Sequence, residues 1–202
     1  MFCSLEEAIG AFRQGEFLVL VDDQDRENEG DLIVAAEFIT AERVNFMVRR
    51  ACGMFLLAAA PELFERLDIP LSPKRHSDAM TPRFGLSFDA RNGVGTGIAA
   101  TDRAATILLA IDPDSGPDDI VIPGHVLPLM AHPGGIGARR GHTEGSVELA
   151  RLAGLYPAAV MSEVMTPSGA MAKGEELEAF ARRIGCKVID VARIAAAALQ
   201  ES

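Results

Sequence analysis

Apolar positions recur along the chain with two periods, and their alternation predicts the order of elements. Leu5, Ala8, Ile9 and Phe12 stand at i, i+3, i+4 and i+7 behind Ser4, with Glu7 three residues after that serine. The spacing predicts an amphipathic helix opened by a capping box and stopped at Gly15. Residues 17–21 and 32–36 are short runs rich in Val, Leu and Ile, expected as buried strands. Thr40 opens a second helix with Val44, Met47, Val48 and Ala51 on one face and Gly53 as its end, and residues 54–60 read as a third strand. This is a βαβ-like alternation. Residues 61–82 read as irregular apart from a short helix near 62–67. Residues 74–83, polar and flanked by proline, read as a mobile surface loop.

The second half continues in the same manner. Residues 84–90 alternate as a strand does. Thr101 or Asp102 is expected to cap a helix running through Ala110, and residues 112–119 have the composition of a loop. Thr143 reads as the N-cap of a helix over 144–152, and residues 155–165 hold a strand with Glu163 near its end. Leu177, Phe180, Ala181 and Ile184 make one face of a helix over 173–184, stopped at Gly185. Residues 187–191 are a last strand, and the alanine-rich tail is a helix. There is no internal repeat or low-complexity linker, so one α/β domain over residues 1–202 is expected.

Composition narrows the function classes. A chain of 202 residues can build one sizeable core. A formal charge of −10 argues against non-specific nucleic-acid binding, which needs a basic face, and against anionic membrane surfaces. No apolar run approaches the roughly 18 residues of a membrane span. The N-terminus has no basic region ahead of an apolar one, and it carries Glu6 and Glu7, unlike a secretory signal. Cys3, Cys52 and Cys186 are odd in number and unrelated in spacing, which suits a reducing, cytoplasmic setting rather than a disulfide framework.

Candidate chemistry gathers in a few places. Residues 22–31, DDQDRENEGD, carry six carboxylates and Arg26 between two predicted strands. The run reads either as a solvated loop or as a divalent-cation site that offsets the mutual repulsion. It is not an EF-hand: counted from Asp25, the twelfth position is Ala36 where a bidentate Glu is needed. Zinc on His125, His132 and His142 lacks a short-spaced pair, and Mg²⁺ or Mn²⁺ suits carboxylates with one imidazole better. Gly93, Gly95 and Gly97 form either a tight turn or a backbone that lets a ligand approach. His125, in an apolar run, reads as a core histidine or as a catalyst. Arg139, Arg140 and His142 lead into a helix start, where free N–H groups and a guanidinium can grip a phosphate.

The ordered blocks DDQDRENEGDLIVAAE (22–37), TGIAATDRA (96–104), PGHVLPL (123–129), RRGHTE (139–144) and Glu163 within MSEVM resemble 3,4-dihydroxy-2-butanone-4-phosphate synthases over nearly the whole chain. The resemblance implies an α/β sandwich with a mixed sheet covered by helices. It also implies a homodimer with sites near the subunit interface. The activity implied is that of a lyase of riboflavin biosynthesis, which converts ribulose 5-phosphate to 3,4-dihydroxy-2-butanone 4-phosphate and formate with Mg²⁺ or Mn²⁺. Glu27 and His142 would hold the metal. Arg26, Glu27, Asp31, Arg139, Arg140, Gly141, His142, Thr143 and Glu163 would contact substrate, with His125 and Glu163 essential to catalysis. The chain departs from the family at Ala99, where Ser is common, and at Leu56, where many members carry Cys. No second enzyme domain follows, so a stand-alone synthase is expected. Two other readings are a related lyase or isomerase acting on another sugar phosphate and a non-catalytic sugar-phosphate-binding paralogue.

Overall fold

Ser4 Oγ accepts a hydrogen bond from the Glu7 amide, and the Glu7 carboxylate accepts one from the Ser4 amide at 2.8 Å, which opens helix α1 (Leu5–Arg13) as the sequence pattern requires. The computed structural model describes residues 2–23, 25–73 and 81–199. Most of the loop expected over 74–83 therefore lies outside the described residues.

The chain continues through β1 (Leu18–Val21), β2 (Gly30–Ala35), α2 (Ala41–Arg50), β3 (Leu56–Ala59) and α3 (Pro61–Leu67). It then passes through β4 (Arg83–Phe84), β5 (Phe88–Ala90), α4 (Ala100–Ile111) and β6 (Ile120–Met130). The last part is α5 (Gly135–Ala138), α6 (His142–Leu152), β7 (Ala158–Glu163), α7 (Glu175–Ile184), β8 (Lys187–Asp190) and α8 (Val191–Ala198). Short 3₁₀ turns at Ala36–Phe38 and Pro117–Asp119 complete it. No helix among the described residues is long and apolar enough to cross a membrane.

The strands form one mixed sheet in the order β4-β6-β3-β7-β2-β1-β8, with β5 paired to β6. β1, β2 and β3 are buried at every position, because helices cover both faces and leave no side of these strands for polar residues. On one face Val44 and Met47 of α2, Ile107 of α4 and Phe180 of α7 pack against Leu32, Val34 and Val160. On the other, Phe12 of α1, Val147 and Leu149 of α6 and Ile194 of α8 pack against Leu20, Ile33 and Met161.

Several expectations shift. β2 and β3 run parallel with α2 between them, but they are not neighbours. β7 lies between them, antiparallel to both. The strand expected over 84–90 is two short strands, because β4 pairs with Leu129 and Met130 of β6 while β5 pairs with its first half. Val48 lies at the flank of the α2 apolar stripe and is 37% exposed. Helix α4 starts ahead of both expected caps: Ala99 holds its N-cap position with no side-chain bond. The Asp102 carboxylate instead accepts from the Gly97 amide at 3.0 Å.

Candidate active site

The acidic loop closes around one buried carboxylate. Asp22 sits where β1 ends, next to the last antiparallel pair, Val21 with Gly30. One of its oxygens, Oδ2, accepts from Arg26 Nη1 at 2.6 Å and the Glu27 amide at 3.2 Å; the other accepts from the Glu29 amide at 2.9 Å. An ionised carboxylate is acceptor-only with room for about four donors, so Asp22 is nearly saturated. It turns the loop inward and presents Arg26 and Glu27 on its rim. Lys173 fastens the outer side by donating to the Glu27 carbonyl at 2.8 Å.

The sheet register supplies the next pair. Asp31 of β2 stands opposite Glu163 of β7. Both project toward the face covered by α6, since their neighbours Ile33 and Met161 pack there. Like charges directly opposite across a ladder repel. Asp31 is fully buried, and one of its oxygens, Oδ1, has no hydrogen-bond partner among the described residues. Burial pushes its carboxyl up to about 6, with Glu163, Asp22 and Glu27 adding to the rise and His142 opposing it. Glu163 is fixed from the other side, where Oε2 accepts from the Met54 amide at 2.7 Å. A Cβ on Gly53 would lie 2.5 Å from that oxygen, so the residue before Met54 has to be glycine for this approach.

Helix α6 brings its first turn to the same corner. The His142 ring lies with Nε2 4.0 Å from Asp22 Oδ1 and Nδ1 3.8 Å from Asp31 Oδ2. The N-cap is Gly141, with no side-chain bond, rather than Thr143. The backbone at Gly141 is already extended just before the helix, so Thr143 falls inside the first turn. Its amide and those of His142 and Glu144 are the donors a helix start leaves without intrahelical acceptors. Arg139 is 5% exposed and pairs with the buried Glu144 at 2.5 Å. The second oxygen of Glu144 accepts from the His132 amide at 2.9 Å, which ties the segment ahead of α6 to the helix. A side chain on Gly141 would collide with both Arg139 and Glu144.

Arg26, Glu27, Asp31, Arg139, His142, Thr143 and Glu163 thus line one cavity of about 110 Å³, with Leu56 in its wall. Three expected residues are not part of its lining. Arg140 is exposed, and His125 belongs to a different cluster, 2.7 Å from Asp89. Gly141 is the N-cap of α6 and precedes the lining residue His142. The sequence reading missed Asp22, Glu144 and Asp89 as individual contributors. Asp22 was visible only as one of six similar acids, and the partners of Glu144 and Asp89 depend on folding.

Among the described residues one cluster has metal-ligand geometry. Donor atoms of Asp22, Glu27 and His142 lie within 4.8 Å of one another. Asp22 is already committed to three donors, whereas the Glu27 carboxylate is 51% exposed. The orphaned oxygen of Asp31 adds uncompensated negative potential beside them. Oxygen donors with one imidazole suit Mg²⁺ or Mn²⁺, so the residues fit such an ion, with Glu27 and His142 as the side chains best placed to bind it.

The model of the family described as 3,4-dihydroxy-2-butanone 4-phosphate synthase matches residues 6–197. A riboflavin biosynthesis protein RibBA of Aquifex aeolicus is 50% identical over 95% of this chain and 48% of its own length. A 3,4-dihydroxy-2-butanone 4-phosphate synthase of Pelobacter propionicus is 45% identical over 93% of this chain and 80% of its own. The chain spans about half the length of the first curated relatives it matches. A crystal structure of a 3,4-dihydroxy-2-butanone 4-phosphate synthase in complex with two magnesium ions superposes with a TM-score of 0.91 at 41% identity, covering 98% of each chain.

Proposed function

The chain belongs to the 3,4-dihydroxy-2-butanone 4-phosphate synthase family, and from that premise we propose that it is the lyase that converts D-ribulose 5-phosphate to L-3,4-dihydroxy-2-butanone 4-phosphate and formate, a step of riboflavin biosynthesis. The observation that carries this reading is the convergence of two arginines, four carboxylates and a histidine on one cavity at the end of the β2–β7 pair. A sugar phosphate needs that combination: cations and amides for the phosphate, acids and bases for the carbon skeleton.

Glu27 and His142 would hold Mg²⁺ or Mn²⁺, which agrees in metal type with a structural neighbour solved with two magnesium ions. A divalent ion there supplies Lewis-acid polarisation of the ketose oxygens. The other roles belong to this chain's side chains. Arg139, with the open amides of the α6 start, binds the phosphate. Enediol formation, water loss, skeletal shift and formate release each require proton transfers. Glu163, held by the Met54 amide, and Asp31, whose carboxyl titrates near neutrality, stand together to make them. His125 is the third proton carrier. It lies outside the cavity lining of its own chain, which a homodimer with the site near the subunit interface accounts for. A cytoplasmic location suits the three free thiols.

The test is formate release from ribulose 5-phosphate with and without Mg²⁺, run beside other pentose phosphates, on the parent chain and on Glu27→Ala. The expected result is metal-dependent formate from ribulose 5-phosphate, abolished in Glu27→Ala while the circular dichroism spectrum is kept. Full activity in excess chelator, or formate only from another pentose phosphate, overturns the reading.

A further inference from the structure

β5 folds back on the first half of β6, and the register slips between Phe88 and Asp89: Phe88 stands opposite Val126, but Asp89 stands opposite Val121. The slip leaves residues 122–125 without a partner in this register, and the Asp89 side chain bonds His125 there. Its Oδ1 accepts from the His125 backbone amide at 2.9 Å, and its Oδ2 lies 2.7 Å from the ring Nδ1. The Asp89 side chain is 10% exposed, while the imidazole side chain is 41% exposed.

The glycine-rich turn closes over this pair. Gly97 has φ +87, and a Cβ there would run into both the Asp89 carboxylate and His125 Nδ1. Its amide is held by Asp102 at the start of α4. The turn therefore packs against a histidine–carboxylate dyad, and the glycine is needed for that contact.

The chemistry of the dyad is directional. An ionised carboxylate can only accept, so the ring nitrogen facing it must carry the hydrogen. The other nitrogen, Nε2, then presents its lone pair, and among the described residues it has no hydrogen-bond partner. A second hydrogen-bonding group on one ring nitrogen is what decides the tautomer at the other. A satisfied core histidine would bury its ring, and this one does not.

We propose that Asp89 is a positioning residue that fixes His125 as the Nδ1–H tautomer and aims Nε2 outward as the atom that exchanges protons in the reaction. This rests on the catalytic reading of His125. Asp89 touches no substrate; it acts through the ring.

The experiment has two arms, so that failure of this proposal and failure of the catalytic reading separate. The first arm is ¹⁵N-histidine NMR of the full chain, with His125 assigned through His125→Gln. A protonated Nδ1 and an unprotonated Nε2 in the neutral ring are expected, and the opposite tautomer overturns the proposal whatever the kinetics show. The second arm is kinetic. Asp89→Asn keeps an acceptor for the His125 amide but turns an amide N–H toward the ring, which reverses the tautomer. Turnover is expected to fall about 10²- to 10⁴-fold, the order seen when a dyad carboxylate is made an amide, with KM for ribulose 5-phosphate within about threefold. In a His125→Ala background the same substitution should change residual turnover less than about twofold, because residues acting as one unit are non-additive. An equal loss in both backgrounds means Asp89 is only structural and overturns the proposal. Wild-type turnover in His125→Ala alone removes the catalytic reading, and with it any function for the dyad, even where the tautomer is as expected. If Asp89→Asn does not fold, the tautomer in the unaltered chain decides.

Discussion

Replacing Asp31 by Asn is expected to stabilise the metal-free protein at neutral pH while disabling the site. The carboxyl is fully buried, one oxygen is without a hydrogen-bond partner, and burial raises its pKa from 3.8 to about 6. A raised carboxyl binds its proton more tightly in the folded chain than in the unfolded one. Stability is therefore unaffected below about pH 4, is lost progressively as pH rises through the window from 3.8 to about 6, and stays reduced above it. At about 1.4 kcal/mol per pH unit, the gap costs roughly 3 kcal/mol at pH 7. Asp31→Asn removes the charge at nearly constant volume, so it recovers up to that amount, less what its amide group loses by being buried. For a chain of this length, each kcal/mol moves the melting temperature by about 2–4 °C. The assay is urea unfolding of both proteins in chelator, once near neutrality and once near pH 4. The stability difference should be largest near neutrality and vanish in acid. It should also shrink with saturating Mg²⁺, which offsets the same repulsion in the parent. A variant less stable than the parent at neutral pH, or a gain that does not vary with pH, refutes the reasoning.

Arg139→Lys keeps a charge against Glu144 but replaces a planar fork by one ammonium; KM for ribulose 5-phosphate should rise at least about tenfold with kcat within about threefold, and inorganic phosphate should inhibit correspondingly more weakly. Unchanged phosphate inhibition and unchanged KM would remove Arg139 from the anion site. Ala99→Ser places a hydroxyl at the empty N-cap of α4, which should add about 1 kcal/mol in urea unfolding; no change would show that the extended backbone at Ala99 cannot direct that hydroxyl at the helix amides.

How far the sequence announced this molecule depends on the range of each interaction. The capping box of Ser4 and Glu7 is local, and it formed as the spacing requires. Gly185 stops α7 in a left-handed conformation for the same reason. Apolar runs located β1, β2 and β3 to within two residues. Thr101, Asp102 and Thr143 are good capping residues that do not cap, because the chain enters each helix earlier, at Ala99 and Gly141, where packing sets the backbone. Nothing local announces that β7 inserts between β2 and β3, although that insertion is what puts Asp31 opposite Glu163. The motif residues were therefore legible as a set, whereas the carboxylates that hold them, Asp22, Asp89 and Glu144, depended on pairings remote in sequence.

The same three carboxylates explain how a crowded polar corner coexists with a buried sheet. Each is itself buried, and each takes at least two donors with its two oxygens: Asp22 from Arg26 and the loop amides, Asp89 from the His125 amide and ring, Glu144 from Arg139 and the His132 amide. A buried carboxylate so satisfied is inexpensive compared with one left open. Asp31 is the exception, open on one oxygen and raised toward neutrality. The fold thus keeps its satisfied acids as supports and concentrates its unsatisfied charge on the residue that faces the His142 ring and the carboxylate Glu163. That is where strained electrostatics can be relieved by an ion and a substrate rather than by the protein itself. Stability and activity should accordingly move in opposite directions at Asp31, and together at Asp22 and Glu144.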